Sequence, residues 1–140
     1  MADSKVLLST VVGQKHLLSG NEAIARGAIE SGVKVATSYP GTPSSEIADN
    51  LARVAPEAGI YMEYSTNEIV AVEVAAGASL SGVRAFTCMK HVGLNVASDA
   101  FVTLAYIGVK GGYVIVSADD PNCWSSQNEQ DNRYIAEQDS

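Results

Sequence analysis

Four short runs of mostly apolar residues alternate with longer helix-like stretches in this chain of 140 residues. Glycine or proline bounds most of these runs, and each has the length of one strand. The intervening stretches repeat apolar residues at helical spacing. Such alternation is typical of βαβ units, which build a mostly parallel sheet with helices on both faces. We therefore predict an α/β fold with strands over residues 33–39, 60–64, 84–89 and 112–118.

The predicted helices begin at residues suited to capping. Asn21 would cap the first helix, and Thr42, followed by proline, would cap the second. Ser65 and Glu68 have the spacing of a capping box at the start of a third helix. The stretch 92–106 should be mostly helical. Breaks are expected near Gly93, its second residue, and near Gly108, just after its end.

Chain length and composition indicate one globular domain. Hydrophobic residues make up 46% of the sequence and charged residues 18%, which is the balance of a packed domain rather than a disordered chain. Residues 1–18 are expected to be a lead-in, as one strand or arm, and residues 19–140 the domain itself. The last part, 119–140, is polar and is predicted to be loop-like.

Charge and cysteine content exclude several function classes. The chain has nine basic residues, scattered singly, and sixteen acidic ones. The resulting formal net charge of −7 argues against nucleic acid or anionic membranes as partners. No apolar stretch approaches the ~18 residues of a membrane span, so we expect a cytoplasmic protein. Two cysteines, Cys88 and Cys123, are too few for a disulfide scaffold or an iron–sulfur cluster, and we expect no metal site. Both are interpreted as small hydrophobic residues.

The usual phosphate-binding and hydrolase motifs are missing from the sequence. There is no G-x-G-x-x-G after a strand, no P-loop motif, no G-x-S-x-G and no H-E-x-x-H. In parallel sheets the ligand crevice lies beyond the carboxyl ends of the strands. This rule directs attention to three loops, over residues 39–46, 64–68 and 89–95.

The first two loops each admit a functional and a structural interpretation. The turn 39–46 could offer free N–H groups and hydroxyls to a carboxylate or phosphate, or it could be only a well-capped turn. Glu68 could cap its own helix, or it could be a carboxylate at the crevice that exchanges a proton with a bound heterocycle. Glu63 and Glu73 are interpreted as structural.

The third loop carries two groups that can be cationic. Lys90 and His91 follow a buried strand, and this position suits an anionic substrate, although a lone histidine is often a satisfied structural residue. The segment 124–133 has the composition of a solvated loop. Its length and lack of glycine also fit a segment ordered by packing, for example against a partner domain.

Four segments together resemble a known family. Residues 18–30, 39–46, 89–95 and 125–133 are similar to the amino-terminal domain of the indolepyruvate ferredoxin oxidoreductase alpha subunit, and the resemblance extends over about residues 17–136. In the wider 2-oxoacid:ferredoxin oxidoreductase group this is the pyrimidine-binding domain for thiamine diphosphate. The resemblance implies a Rossmann-like, three-layer thiamine diphosphate-binding fold.

The resemblance also implies roles for individual residues. Glu68 would bond N1′ of the cofactor's aminopyrimidine and would be the catalytic residue, while Gly41 and Asn95 would contribute to cofactor binding. The 2-oxoacid substrate carries a negatively charged carboxylate. The residues implied to contact this substrate are Thr42, Lys90, His91 and Arg133.

The family's activity requires more than this chain contains. The resemblance implies oxidative decarboxylation of an aryl pyruvate to an acyl-CoA, with electrons passing through iron–sulfur clusters to ferredoxin. A partner domain would hold Mg²⁺ and the diphosphate, and a beta subunit and a second copy of the enzyme are further expected partners. The chain alone, a fragment or one subunit, is predicted to be inactive. Two alternatives stay open: a small subunit of a split thiamine-dependent 2-oxoacid decarboxylase, and a non-catalytic interaction module of the same fold.

Overall fold

Four parallel strands form the centre of the structure, a computed structural model that describes residues 4–138. Their order across the sheet is β2-β1-β3-β4. The strands are β1 (Val35–Ser38), β2 (Tyr61–Tyr64), β3 (Ala85–Lys90) and β4 (Tyr113–Ala118). The helices are α1 (Ser4–Leu7), α2 (Gly20–Glu30), α3 (Ser45–Ala58), α4 (Glu68–Leu80), α5 (His91–Val96), α6 (Ser98–Ile107) and α7 (Arg133–Gln138).

The strand register places all carboxyl ends at one edge of the sheet. Ser38 at the end of β1 lies opposite Tyr64 of β2 and Cys88 of β3. Lys90 at the end of β3 lies opposite Ala118 of β4. All pairings are parallel, so the four predicted strands and the α/β class are confirmed.

Helices cover both faces of the sheet, as predicted. On one face, α2 and α3 pack on β1 and β3 through a core that includes Ala25, Ile47, Leu51, Ala36 and Phe86. On the other face, α4, α5 and α6 pack on β3 and β4 through a second core that includes Val72, Met89, Leu94 and Ala97. Small residues on α2 and α4 let these helices approach the sheet closely.

The lead-in was expected to be one strand or arm, and it contains no strand in its described part: a short helix is followed by turns and irregular structure over residues 8–18. Residues 4–7 form α1, and Leu7 is fully buried. The Arg26 guanidinium on α2 donates to the carbonyl oxygens of Val6, Leu7 and Ser9, over distances of 2.5–3.1 Å. A single arginine therefore fastens this segment to the domain. Residues 1–3 lie outside the described part of the chain.

Two helix boundaries differ from their predictions. Ser19, not Asn21, caps α2, because the Glu22 side chain returns a hydrogen bond to the Ser19 amide and completes a capping box. The break near Gly93 was also misplaced: α5 runs through Gly93, and the chain turns at Ala97 before α6.

The polar tail is partly ordered into helix. After a single 3₁₀ turn at residues 121–123, the chain continues to α7, which the sequence pattern did not predict. None of the helices between residues 4 and 138 combines the length and apolarity needed to cross a bilayer.

Candidate functional site

All of the predicted site residues lie at or next to the edge where the strands end. The turn after β1 carries Gly41 and Thr42, the helix after β2 begins with Glu68, and Lys90 ends β3 directly before His91. A further segment, residues 119–132, follows β4 and crosses this edge; we call it the strap. Residues 119–140 were predicted to be loop-like, and packing, for example against a partner domain, was an alternative for residues 124–133.

Glu68 is the first residue of α4, and its carboxylate is free. The cap is Asn67, whose side-chain oxygen accepts from the Val70 amide at 2.9 Å. The capping-box interpretation of Glu68 was therefore wrong, because the glutamate stands at the first helical position instead of the third. Glu68 is only 9% exposed, and within residues 4–138 no hydrogen bond reaches its carboxylate.

Buried hydroxyl groups fix the position of α4 on the sheet. The Thr37 hydroxyl donates to the Ala71 carbonyl at 2.7 Å, one turn after Glu68. Thr87 lies 2.7 Å from Thr37 and 2.8 Å from the Tyr113 hydroxyl, so β1, β3 and β4 are joined under the helix. This buried network holds the start of α4 at a defined place.

Gly93 makes room for the Glu68 side chain. A Cβ atom at Gly93 would lie 2.8 Å from both Cγ and Oε1 of Glu68, closer than carbon atoms pack. The helix α5 can therefore approach the glutamate only because residue 93 has no side chain.

Gly41 likewise makes room for the side chain of Lys90. A Cβ at Gly41 would lie 2.7 Å from Cδ of Lys90. The turn around Gly41 is held by Ser44 and Ser45: the Ser44 hydroxyl donates to the Gly41 carbonyl at 2.7 Å, and the Gly41 amide donates to the Ser45 hydroxyl at 2.9 Å. The lysine stem is thus packed against a fixed turn.

Thr42 lies exposed in this turn, and its predicted role as helix cap was wrong. The helix α3 begins three residues later, at Ser45, after a cis peptide bond between Thr42 and Pro43. The Thr42 hydroxyl makes no hydrogen bond within the described chain, and so it is available to a ligand at this edge.

The strap engages the Lys90 ammonium group. Nζ of Lys90 donates to the Ser125 carbonyl at 2.8 Å. The loop that presents this carbonyl is closed by Asp120, whose carboxylate accepts from the Ser125 amide and the Ser126 hydroxyl, both at 2.7 Å. These hydrogen bonds, that from the Ser125 amide first, hold the pKa of Asp120 below its ordinary value.

His91 is fully buried beneath the strap. Its Nε2 lies 3.0 Å from the Asn128 carbonyl oxygen and 3.2 Å from the Asn128 side-chain oxygen. Because a carbonyl oxygen only accepts, Nε2 carries the hydrogen and donates it. Nδ1 is buried and has no partner within residues 4–138.

Two further predicted residues are also bound to the strap or its end. Asn95 and Gln130 exchange two amide hydrogen bonds, at 2.7 and 2.9 Å. Arg133 pairs with Asp131 at 2.6 Å, and its side chain is 86% exposed. The strap residues that make these contacts could not be predicted from the sequence, because a polar segment without periodicity does not indicate what it touches.

Comparison with known protein families shows which family this chain belongs to. Residues 26–109, more than half of the chain, match the thiamine diphosphate-binding domain of the pyruvate flavodoxin/ferredoxin oxidoreductases. The chain belongs to this family. Thiamine diphosphate binding is therefore a property of this family of domains. The matched residues include Gly41, Glu68 and Lys90.

Full-length relatives of the family are much longer than this chain. An indolepyruvate oxidoreductase subunit IorA from Pyrococcus horikoshii is 63% identical over 124 residues, which cover 89% of this chain and 19% of that protein. The corresponding subunit from Methanothermobacter thermautotrophicus is 62% identical over 130 residues, which cover 93% of this chain and 21% of that protein. The chain thus spans about a fifth of the relatives it matches.

A solved structure agrees in fold. The 2-oxoglutarate:ferredoxin oxidoreductase from Magnetococcus marinus, determined with 2-oxoglutarate, coenzyme A and succinyl-CoA bound, matches with a TM-score of 0.73 and 25% identity. The match covers 85% of this chain and 21% of that one. The three-layer fold expected from the resemblance is therefore confirmed.

The residues at this edge fit the pyrimidine end of thiamine diphosphate. Glu68 is a buried carboxyl group without a hydrogen-bond partner in the described chain, and this is compatible with a contact to a ring nitrogen of the cofactor. The diphosphate end needs a cation, and within the described residues no group of three or more His, Cys, Asp or Glu side chains could hold a metal ion.

Proposed function

We propose that this chain is the pyrimidine-binding part of a thiamine diphosphate-dependent 2-oxoacid:ferredoxin oxidoreductase that decarboxylates indolepyruvate or another aryl pyruvate to an acyl-CoA. Support comes from the family match and from relatives named as indolepyruvate oxidoreductase subunits. The observation that carries the proposal is the Glu68 carboxylate, which is buried at the carboxyl edge and unpaired within the described chain.

Glu68 would hold a proton at N1′ of the aminopyrimidine. A carboxylate that is largely shielded from water interacts more strongly with a ring N–H than an exposed one, since less water competes for it. The cofactor, when bound, supplies the electron sink that decarboxylation needs. Gly41 and Asn95 would contribute to the walls of the cofactor site.

The substrate carboxylate would be bound by groups on three loops. Thr42 offers a free hydroxyl, and Lys90 and Arg133 offer positive charge. His91 is the further residue proposed for the substrate: it is buried beneath them, with Nε2 donating to Asn128 and Nδ1 without a partner in the described chain.

The remaining parts of the reaction would lie on other domains or subunits. A diphosphate-binding domain of the same enzyme would hold Mg²⁺, and iron–sulfur clusters and the CoA site would belong to the complete enzyme. A beta subunit, a second copy of the enzyme and ferredoxin as electron acceptor are the proposed partners. A cytoplasmic location belongs to the same proposal.

The test compares two glutamates of α4 in the complete enzyme. Glu68→Gln should lower the rate of aryl-pyruvate-dependent ferredoxin reduction by about 10²–10⁴-fold, because an amide does not exchange a proton with N1′. Glu73→Gln, the matched control on the exposed side of the same helix, should leave the rate unchanged.

Other outcomes distinguish the alternative functions. Unchanged turnover in Glu68→Gln would refute the catalytic role and favour a non-catalytic interaction module. Turnover that requires Glu68 but yields an aldehyde without reducing ferredoxin would indicate a split 2-oxoacid decarboxylase.

A further inference from the structure

Asn132 is the buried residue at which the strap, β4 and the start of α5 meet. It is 6% exposed. Its Nδ2 donates to the His91 carbonyl at 3.0 Å and to the Ser117 hydroxyl at 2.6 Å. Its Oδ1 accepts from Nε2 of Gln130 at 2.5 Å. Both ends of the amide are thus used, and each contact goes to a different element.

The Asn132 backbone is fixed as well. Its amide donates to the Asp119 carboxylate at 3.2 Å, at the other end of the strap. Its carbonyl accepts from the amides of Ile135 and Ala136 in the first turn of α7. The position of Arg133, the next residue, is therefore set by contacts made on Asn132.

A local capping role does not account for these contacts. An asparagine that precedes a helix normally turns its side-chain oxygen onto the amides of that helix. Here Oδ1 accepts from Gln130, and Nδ2 reaches across to β4 and to the junction of β3 and α5. The side chain joins elements that are distant in sequence.

Arg133 depends on this anchor. Within the described chain, all hydrogen bonds of the Arg133 side chain go to Asp131, which is a neighbour in sequence. Its side chain is 86% exposed, and its other attraction within the described chain is to the charge of Asp119, without a hydrogen bond. The backbone on either side of Arg133 is therefore its main tie to the sheet edge.

We propose that Asn132 is a positioning residue: by joining the His91 carbonyl to the end of β4, it fixes where Arg133 stands for binding the 2-oxoacid carboxylate. This inference rests on the proposed function, in which Arg133 contacts that anion. Asn132 itself touches no substrate and acts through Arg133. A displacement of about 1 Å in such a group can cost about 10²-fold in rate or binding.

A double-mutant cycle in the complete enzyme tests the inference. The variants are Asn132→Ala, Arg133→Ala and the pair, and the readout is KM for an aryl pyruvate and kcat for ferredoxin reduction. Asn132→Ala should raise KM at least about tenfold and change kcat much less. In the Arg133→Ala background it should add no further change, since the group that it positions is gone.

A matched control and a milder variant accompany the cycle. Gln127→Ala removes an exposed amide from the same strap and should leave KM at the wild-type value. Ser117→Ala removes one of the two acceptors of Asn132 and should raise KM less, again only when Arg133 is present. This variant decides the question if Asn132→Ala does not fold.

Two results would overturn the inference while the wild-type enzyme is active. One is an unchanged KM in both the Asn132 and the Ser117 variants. The other is an equal rise with and without Arg133, which would mean that Asn132 acts on its own. A wild-type enzyme that does not consume 2-oxoacids would instead refute the proposed function, and the inference with it.

Discussion

Two glycines at the site edge are needed for the close approach of long side chains. Gly93 faces Glu68 and Gly41 faces Lys90, and in both cases an added Cβ would come within 2.8 Å of the neighbour. Neither glycine has a positive φ, so conformational freedom does not explain them. Glycine stands at these two positions because an added Cβ would not fit, and the effect of such a Cβ on stability can be measured.

Replacing Gly93 by alanine should destabilise the domain although alanine favours helix. In an unobstructed helix the change stabilises by roughly 0.5–1 kcal/mol. The methyl group that Gly93→Ala adds would instead collide with Cγ and Oε1 of Glu68, so we expect the free energy of unfolding to fall by about 1–3 kcal/mol. Urea unfolding measures this change.

Gly27→Ala is the matched control. Gly27 lies on the exposed side of α2, and a Cβ there would meet nothing within 4 Å. This variant should gain stability. A gain in both variants would show that α5 does not pack closely on Glu68.

The strap is an element held by polar contacts. Its tryptophan, Trp124, is 86% exposed, so burial of this large side chain does not anchor it. Asp120 closes one loop of the strap by accepting from Ser125 and Ser126, and the same loop binds Lys90. Acid should therefore release this loop.

The fluorescence of Trp124, the single tryptophan of the chain, can report that release. The folded strap holds the pKa of Asp120 below its ordinary value of 3.8. The stabilisation is thus complete above that value and is lost as the pH falls through the lower, folded pKa. We expect a fluorescence transition below pH 3.8 that is absent in Asp120→Asn.

Circular dichroism in the far ultraviolet, recorded in parallel, separates this step from global unfolding. Asp99→Asn, at the start of α6, should keep the transition because Asp99 has no contact with the strap. A transition at the same pH in wild type and Asp120→Asn would contradict the assignment.

Elements with a repeating pattern could be predicted from the sequence, and elements built from distant polar contacts could not. The four strands follow from short, mostly apolar runs that come after glycines, and their parallel direction follows from the helices between them. The strap contacts join residues far apart in the sequence, such as Lys90 with Ser125 and His91 with Asn128. No local propensity encodes such pairs.

The same distinction applies to the candidate site. The edge of the sheet and the loops that reach it could be predicted, because parallel strands share one carboxyl end. Whether Glu68 capped its own helix could not, because Ser65 and Asn67 are both good capping residues and only the fold shows that Asn67 is used. The free carboxylate of Glu68 follows from this shift of the cap by two positions, from Ser65 to Asn67.

At the scale of the whole molecule, the proposed function divides the cofactor site between this chain and another domain. In that proposal Glu68 is the partner of the pyrimidine ring, while among the described residues no group of three or more His, Cys, Asp or Glu side chains could hold a metal ion. The formal net charge of −7 also repels a diphosphate. A ligand with two ends should therefore bind tightly only when a second domain contributes the cation and the diphosphate contacts.

Calorimetric titration of the 140-residue chain with thiamine diphosphate tests this division of the site. With Mg²⁺ present, we expect no saturable heat, corresponding to a dissociation constant weaker than about 1 mM. Glu68→Gln should give the same trace, since the pyrimidine contact alone is too weak to detect. Binding in the range of about 1 μM that requires Mg²⁺ would show that this chain holds the diphosphate as well. The cofactor would then need no partner domain, and Glu68→Gln would become the variant that reports how much the pyrimidine contact adds.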